Sequence, residues 1–170
     1  MRKILLLTVV AFLSFTIDAQ SEKKIFENDI FSIQYPTNWN IEDTAGTQAI
    51  FVAKAPLTSD SDIFAENVNI ITQNLKGMGI TLDQYVEFNE GQLGSIPNSK
   101  MFSSTRETRD GRQYHTLVFR GTMSGLDLKV IQVYAIKNEI AYVVTFTTVE
   151  NEFDRLKKIG AEILKTFKLK

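Results

Sequence analysis

The sequence predicts an α+β domain in which an antiparallel β-sheet is covered by helices. The main observation is a run of four strand-like segments, at about residues 100–108, 113–122, 126–137 and 139–148, joined by links too short for crossover connections. The second observation is the C-terminal segment, in which apolar residues recur every three or four positions from Phe153 to Phe167. A helix with such a stripe has to bury it, and a sheet face offers the cover.

Dipeptides that favour tight turns separate the four strands. Asp110-Gly111 is the strongest of them, because glycine accepts the positive φ that a two-residue hairpin turn requires. Ser124-Gly125 and Asn138-Glu139 are the other two turn candidates. The four strands are therefore expected to form an antiparallel meander.

The last strand of this meander indicates how the sheet is covered. One of its faces carries Tyr142, Val144 and Phe146, and the other carries Ala141, Thr145 and Thr147. Antiparallel sheets often turn one face to the core and one to water. We expect the second face to be partly solvated.

Shorter elements precede the meander. Residues 31–35 alternate apolar and polar side chains, and Pro36 should end that strand in a turn that tucks Trp39 inward. Residues 49–53 and 67–72 indicate two more strands. The polar stretch 21–28 is expected to be loose.

Two helix starts are predicted from capping boxes, in which a Thr and an acidic or amide residue three positions later satisfy each other's free amides. Thr81 with Gln84 predicts a helix over about residues 82–93. Thr147 with Glu150 predicts the start of the C-terminal helix.

Residues 1–19 have the layout of a cleavable signal peptide. Arg2 and Lys3 precede an apolar stretch of about 14 residues, and Ala19 provides a small residue at the expected cut. A helix needs about 20 apolar residues to span a bilayer. The prediction is an exported protein, periplasmic or secreted, with a single domain over residues 20–170 and no stable membrane anchor.

Composition excludes several classes of function. The formal net charge is -1, which gives no basic footprint for nucleic acid. The absence of cysteine removes thiolate chemistry, disulfides and a lipidated cysteine at the cleavage point. Only one histidine, His115, is present for a catalytic triad or an imidazole metal site.

The chain resembles the PsbP-like superfamily, which includes PsbP- and DcrB-type domains. The resemblance is carried by the Phe-x-Ile-x-Tyr-Pro-x-x-Trp pattern of residues 31–39, by Asn67-Val-Asn69, and by residues 142–146 leading into the C-terminal stripe. It implies an α/β/α sandwich built on an antiparallel sheet. It also implies an accessory or binding role, and no catalytic residues are carried over with it.

Each candidate site residue has a structural interpretation beside the functional one. His115 is expected to be a structural or surface histidine. Asp60 and Asp62 indicate a solvated loop, with a weak oxygen-ligand metal site as the alternative. Gly77 and Gly79 fit a tight turn into the capped helix better than a phosphate-binding loop.

The remaining candidates are carboxylates, aromatics and arginines. Four glutamates could act as glycosidase acids and bases, but surface charge is the favoured interpretation: Glu87, Glu90, Glu107 and Glu150. Tyr35 and Trp39 indicate a core corner more than a ligand platform. Around the Asp110-Gly111 turn lie Arg106, Arg109, Arg112 and Arg120, by default a solvated cluster. Arg106, Arg109 and Arg112 are the candidates for contact with a partner, because arginine is enriched at interfaces.

These observations predict a non-enzymatic accessory or binding protein of the cell envelope, without a cofactor or a metal, that contacts an envelope protein. Two alternatives in the same compartment stay open, a small-molecule or metal carrier and a cryptic hydrolase. A carrier should have a concave pocket with converging polar groups.

Overall fold

The computed structural model describes residues 22–170, and the predicted signal segment 1–19 lies outside them. The described part contains ten strands and two α-helices. The strands are β1 (Lys23–Glu27), β2 (Phe31–Pro36), β3 (Asn40–Ile41), β4 (Ala49–Lys54), β5 (Asn67–Asn74), β6 (Lys100–Arg109), β7 (Arg112–Met123), β8 (Leu126–Lys137), β9 (Ile140–Val149) and β10 (Lys168–Leu169), and the helices are α1 (Leu82–Gln92) and α2 (Phe153–Lys165). The predicted α+β class with an antiparallel sheet is confirmed.

The large sheet has seven strands in the order β3-β4-β5-β9-β8-β7-β6, all paired antiparallel. Its last four strands form the expected meander. Both central residues of each hairpin turn have positive φ, at Asp110-Gly111, Ser124-Gly125 and Asn138-Glu139. This backbone is the one whose twist matches the twist of the flanking strands. All three predicted turns are confirmed.

A second sheet of three strands, in the order β1-β2-β10, lies beside α2. The prediction of a loose segment at residues 21–28 was wrong for β1, which pairs with β2 along its whole length. Phe26 anchors it, with its ring 5.0 Å from that of Phe51 between centroids. The C-terminus joins the same sheet, because the chain leaves α2 and adds Leu169 opposite Phe31.

Both faces of the large sheet are covered in its centre. Val144 and Phe146 belong to the core under α2 and the small sheet, whereas Ala141 and Val143 belong to a second core under α1. The expectation of a partly wet face on β9 was therefore wrong for Ala141 and for Thr145, which is 8% exposed. The helix α1 supplies the cover, through the buried side chains of Tyr85 and Val86.

The two helix starts have different outcomes. Thr81 and Gln84 form the complete capping box at the start of α1, as predicted. The second box was wrong, because β9 continues to Val149 and a 3₁₀ turn follows over Glu150–Glu152. The helix α2 begins only at Phe153, without a side-chain cap. Strand pairing with β8 and β5 holds Thr147 in the sheet.

The helix α2 lies very close to β9. A Cβ atom added at Gly160 would stand 2.3 Å from Cδ1 of Phe146, well inside van der Waals contact. The absence of a side chain at Gly160 thus sets the distance between α2 and the sheet. Within residues 22–170 neither helix has the length and hydrophobicity that crossing a bilayer requires.

Candidate functional site

The connection between β4 and β5, residues 55–66, is an ordered loop. Its ends are joined by a hydrogen bond of 2.8 Å from the amide of Ala55 to the carbonyl of Glu66. Inside it, the Asp62 carboxylate accepts bonds from the amide and hydroxyl of Thr58, both at 2.9 Å, and from the amide of Phe64 at 3.2 Å. These bonds, the Thr58 amide first, lower the pKa of Asp62. Its carboxylate therefore organises the loop.

Two adjoining clefts separate this loop from α2 and from the turn after β2. Their volumes are about 350 and 230 Å³, and they share Thr58, Glu66 and Arg155. We call the pair the Glu66 cleft. Its lining includes Trp39, Thr58, Asp62, Glu66, Glu152 and Arg155.

The floor of the Glu66 cleft is a buried carboxylate. Glu66 is only 7% exposed, and its Oε1 accepts a bond of 3.3 Å from the hydroxyl of Thr148, which is fully buried on the α2 face of β9. Within residues 22–170 this is the only hydrogen bond to the carboxylate. A carboxylate can accept about four hydrogen bonds, so Glu66 keeps most of its accepting capacity for a group in the cleft.

The rim facing the start of α2 carries charge. Arg155 Nε donates to Glu152 Oε2 at 2.6 Å, and the Arg155 side chain is 62% exposed. Arg155 also helps to lower the pKa of Asp62. Three carboxylates and one guanidinium therefore line the cleft, and one of those carboxylates lies at its floor.

The opposite wall is apolar. Trp39 is 7% exposed and lines the smaller cleft together with Pro56, Phe146 and Leu156. The expected core corner at Trp39 is thus confirmed, and one side of that corner faces a cleft. Two exposed aliphatic side chains line the cleft, Ile63 on the loop and Ile159 on α2, and a third, Leu57, is exposed on the same loop.

A separate groove lies on the other side of the large sheet, between the end of β5 and α1. It has a volume of about 660 Å³ and is mostly apolar, with Leu75 and Ile80 in its wall. Met78 and Phe88 beside it are 62% and 65% exposed. We call it the α1 groove. One of the few polar groups in its lining, the amide oxygen of Gln73, already accepts a hydrogen bond of 2.6 Å from the hydroxyl of Tyr85.

His115 lies in a hydrogen-bonded relay. Its Nε2 is 2.7 Å from Ser104 Oγ, and that hydroxyl donates to the carboxylate of Glu90 on α1. Since the hydroxyl proton is directed to Glu90, the serine accepts from Nε2–H, and the buried Nδ1 has no partner. A catalytic triad requires the reverse, a histidine that accepts the serine proton and is oriented through its other nitrogen.

The predicted partner-binding arginines fold back on the protein. Arg106 pairs with Asp83 of α1. Arg109 donates to the carbonyl of Lys165 at 2.9 Å, at the C-terminal end of α2. Arg112 donates to the carbonyl of Leu169 at 3.2 Å. The Arg109 bond places positive charge at the negative end of the α2 dipole. The hypothesis that these arginines also contact a partner stays a prediction.

The other candidates are dispersed. Glu90 and Glu107 lie on opposite faces of the large sheet, Glu150 pairs with Arg120 at 2.9 Å, and Glu87 is an exposed residue of α1. Gly77 and Gly79 have positive φ and form the predicted turn into α1. Among residues 22–170 no group of three or more histidine, aspartate or glutamate side chains is close enough to hold a metal ion.

Sequence pattern did not identify Glu66 as a site residue. Its partner Thr148 is 82 positions away, and the remaining cleft residues come from three further segments. The available signal was a single carboxylate placed directly before a buried strand. That signal alone does not distinguish a floor residue from a solvated one.

Comparison with known proteins identifies the fold. No family model and no curated protein matches the sequence. Among solved structures, the cyanobacterial PsbP protein CyanoP from Synechocystis sp. PCC 6803 matches with a TM-score of 0.66 and 15% identity, over 96% of this chain and 99% of that one. LpqN of Mycobacterium tuberculosis, described as involved in cell envelope biogenesis, matches with a TM-score of 0.64 and 14% identity, over 87% and 90%.

A third match comes from a eukaryote. The Ran-binding protein Mog1p of Saccharomyces cerevisiae has a TM-score of 0.57 and 9% identity, over 88% of this chain and 96% of that one. All three matches extend over most of both chains. The resemblance to PsbP-like domains is therefore confirmed, and this chain has the PsbP-like α+β fold.

Proposed function

We propose that this protein is an exported, non-enzymatic accessory protein of the cell envelope that binds a segment of a protein partner in the Glu66 cleft. The observation that carries the proposal is the make-up of the cleft, an apolar wall at Trp39 opposite a buried carboxylate with unused accepting capacity. Concave sites that combine apolar walls with a few placed polar groups are typical binding sites.

Three further observations support the proposal. The exposed aliphatic side chains of Leu57 and Ile63 lie on the ordered loop, where a partner would cover them on binding. A fold match with LpqN, whose description names cell envelope biogenesis, favours the envelope as the compartment. The inward-directed serine proton in the His115 relay favours binding over hydrolysis.

Site-specific photo-crosslinking in intact cells tests the proposal. A photoreactive amino acid at Ile63, beside the cleft, is compared with one at Phe88, beside the α1 groove on the other side of the sheet. Both native side chains are highly exposed, at 76% and 65%, so neither replacement disturbs the core. The proposal expects one dominant adduct from position 63 and none from position 88. No adduct at position 63 would remove its basis.

The α1 groove supports a second candidate function, carriage of an apolar small molecule. Its volume of about 660 Å³ and its apolar walls suit such a ligand. Binding in the α1 groove is measured by the fluorescence of an environment-sensitive apolar dye and by the loss of that fluorescence when candidate ligands displace the dye. The Phe88→Ser variant should then lose dye binding, whereas Ile63→Ser should keep it.

A further inference from the structure

The charges and the shape of the Glu66 cleft indicate which part of a partner it receives. Among residues 22–170, Asp62, Glu66 and Glu152 line the cleft with Arg155 as the single cation, so this part of the lining has a net negative charge. Asp62 is occupied by its own loop, and Glu152 is paired with Arg155. Glu66 is the carboxylate that keeps free accepting capacity.

Burial makes this free capacity significant. A carboxylate that is largely removed from water loses hydration, and hydrogen bonds have to replace it. Glu66 is only 7% exposed. Within residues 22–170, its carboxylate accepts a hydrogen bond from one neutral donor, the hydroxyl of Thr148. A charged donor in the cleft would compensate for the lost hydration, because hydrogen bonds between ions are roughly twice as strong as neutral ones.

The wall beside Glu66 suits the stem of a long cationic side chain. Trp39, Pro56 and Leu156 present apolar surface along the smaller cleft, which opens onto the carboxylate. Lysine and arginine side chains pack their methylene stems on such surfaces and direct the charged end to a polar group. Tryptophan also attracts a cation over its face.

We infer that the Glu66 cleft receives a lysine or arginine side chain of the partner segment, with its stem against Trp39 and its ammonium or guanidinium group on the Glu66 carboxylate. This inference rests on the proposed function, since it takes the cation from a protein partner. It assigns to Glu66 the recognition of charge and to Trp39 the recognition of length.

Blocked tripeptides titrated into the protein lacking residues 1–19 test the inference. The probes are acetyl-Gly-Arg-Gly-amide, acetyl-Gly-Lys-Gly-amide and the neutral acetyl-Gly-Gln-Gly-amide. Binding is followed by the fluorescence of Trp39, the only tryptophan of the chain, and by amide chemical shifts of residues 55–66. We expect the Arg and Lys probes to bind and the Gln probe to bind at least roughly tenfold more weakly.

Two variants locate the charge recognition. Glu66→Gln keeps the shape and the bond from Thr148 but removes the charge, and should weaken the Arg probe roughly tenfold. Glu162→Gln, on α2 outside the cleft lining and paired with Lys23, is the matched control and should change binding by less than about threefold, because exposed ion pairs contribute little. Amide spectra verify that both variants are folded. Equal binding of the Arg and Gln probes, or an unchanged affinity in Glu66→Gln, would overturn the inference.

The outcomes also separate this inference from the proposed function. If position 63 gives an adduct but the peptides bind without charge selectivity, the proposed partner site stands and the recognition of a cation by Glu66 is refuted. Charge-selective binding by Glu66 without any adduct at position 63 refutes the protein source of the cation. In that case a free amine such as spermidine, titrated in the same way, should bind at least as well as the Arg probe.

Discussion

At the scale of single residues, Glu66 combines burial with incomplete hydrogen bonding. Its carboxylate has one neutral donor, Thr148, although the fold places it beneath a loop and a helix. Groups held in this way reduce stability and are kept where function needs them. The free protein should therefore tolerate removal of the Glu66 charge.

We predict that Glu66→Gln leaves the free energy of unfolding unchanged or raises it by up to about 1 kcal/mol, because an amide loses less hydration on burial than a carboxylate. Urea denaturation of the two proteins at neutral pH measures the difference. Thr148→Val is the companion variant and should be destabilising, since it leaves the carboxylate without its donor. A Glu66→Gln protein less stable by several kcal/mol would assign Glu66 a structural role.

His115 makes a second prediction at this scale. Burial lowers its pKa below the ordinary value of 6.5, the charge of Arg106 lowers it further, and Glu90 and Asp83 act in the opposite direction. A histidine whose pKa is lower in the folded state than in the unfolded state contributes to the free energy of unfolding. The whole contribution is present above the unfolded-state pKa, and it is lost as the pH falls from the unfolded-state pKa to the folded-state pKa. We therefore expect the free energy of unfolding to decrease as the pH falls below 6.5.

The control for this pH dependence is His115→Gln, which keeps a nitrogen donor toward Ser104 and does not titrate. The difference in unfolding free energy between the native protein and this variant should change between about pH 5 and pH 7. Parallel curves over that interval would show that His115 does not resist protonation.

At the scale of elements, the two helices are attached differently. The helix α2 is held by a continuous apolar face that includes Phe153, Ile163 and Leu164. The helix α1 buries only Tyr85 and Val86, and polar links from Asp83 and Glu90 tie it to the edge strand β6. Segments with few buried apolar contacts open at lower free energy. We expect α1 to be the less stable of the two.

Native-state amide hydrogen exchange measures this difference. Amides of residues 86–92 should exchange faster than those of residues 157–165, at a pH where exchange follows opening equilibria. Equal protection of the two helices would mean that the polar links hold α1 as firmly as the apolar face holds α2.

The packing of α2 on β9 gives another prediction for an element. Gly160→Ala places a Cβ atom against the Phe146 ring, where 2.3 Å is available. We expect the free energy of unfolding to fall by about 1–3 kcal/mol, as for other overpacked cores, despite the better helix propensity of alanine. Gly91→Ala is the control, because nothing lies within 4 Å of that Cβ position in α1. It should be stabilising by about 0.5–1 kcal/mol.

At the scale of the whole molecule, local pattern predicted the large sheet well and the small sheet poorly. Turn chemistry at Asp110-Gly111 and alternation along the strands are local, so the meander was read from the sequence. The strand β1 and the two-residue β10 exist because β2 provides an edge for both, and that pairing joins the two ends of the described chain. The two-residue β10 depends on a distant partner and has little signal of its own, whereas β1 pairs locally but shows no alternating pattern, since Phe26 is its one apolar side chain packed on the core.

The Glu66 cleft was hard to predict from the sequence for a similar reason. Trp39 was placed correctly as a core corner, but its neighbours Glu66, Arg155 and Leu156 come from distant parts of the sequence. The arginines around the Asp110-Gly111 turn are close in sequence, but Arg106 bonds to α1, whereas Arg109 and Arg112 bond to the end of α2 and to β10, which depends on how the C-terminus packs. Sequence pattern identifies faces and turns, and the cleft arises only where several of them meet.

The central claim is that a partner occupies the Glu66 cleft, and a hydrogen-exchange footprint of the purified complex tests it most directly. Amide exchange is compared between the free protein and the protein with its cross-linked or co-purified partner. We predict that added protection falls on residues 55–66 and 150–159, and that residues 82–92 are unchanged. Protection confined to residues 82–92, or to the hairpin at residues 106–112, would contradict the claim and place the partner elsewhere on the fold.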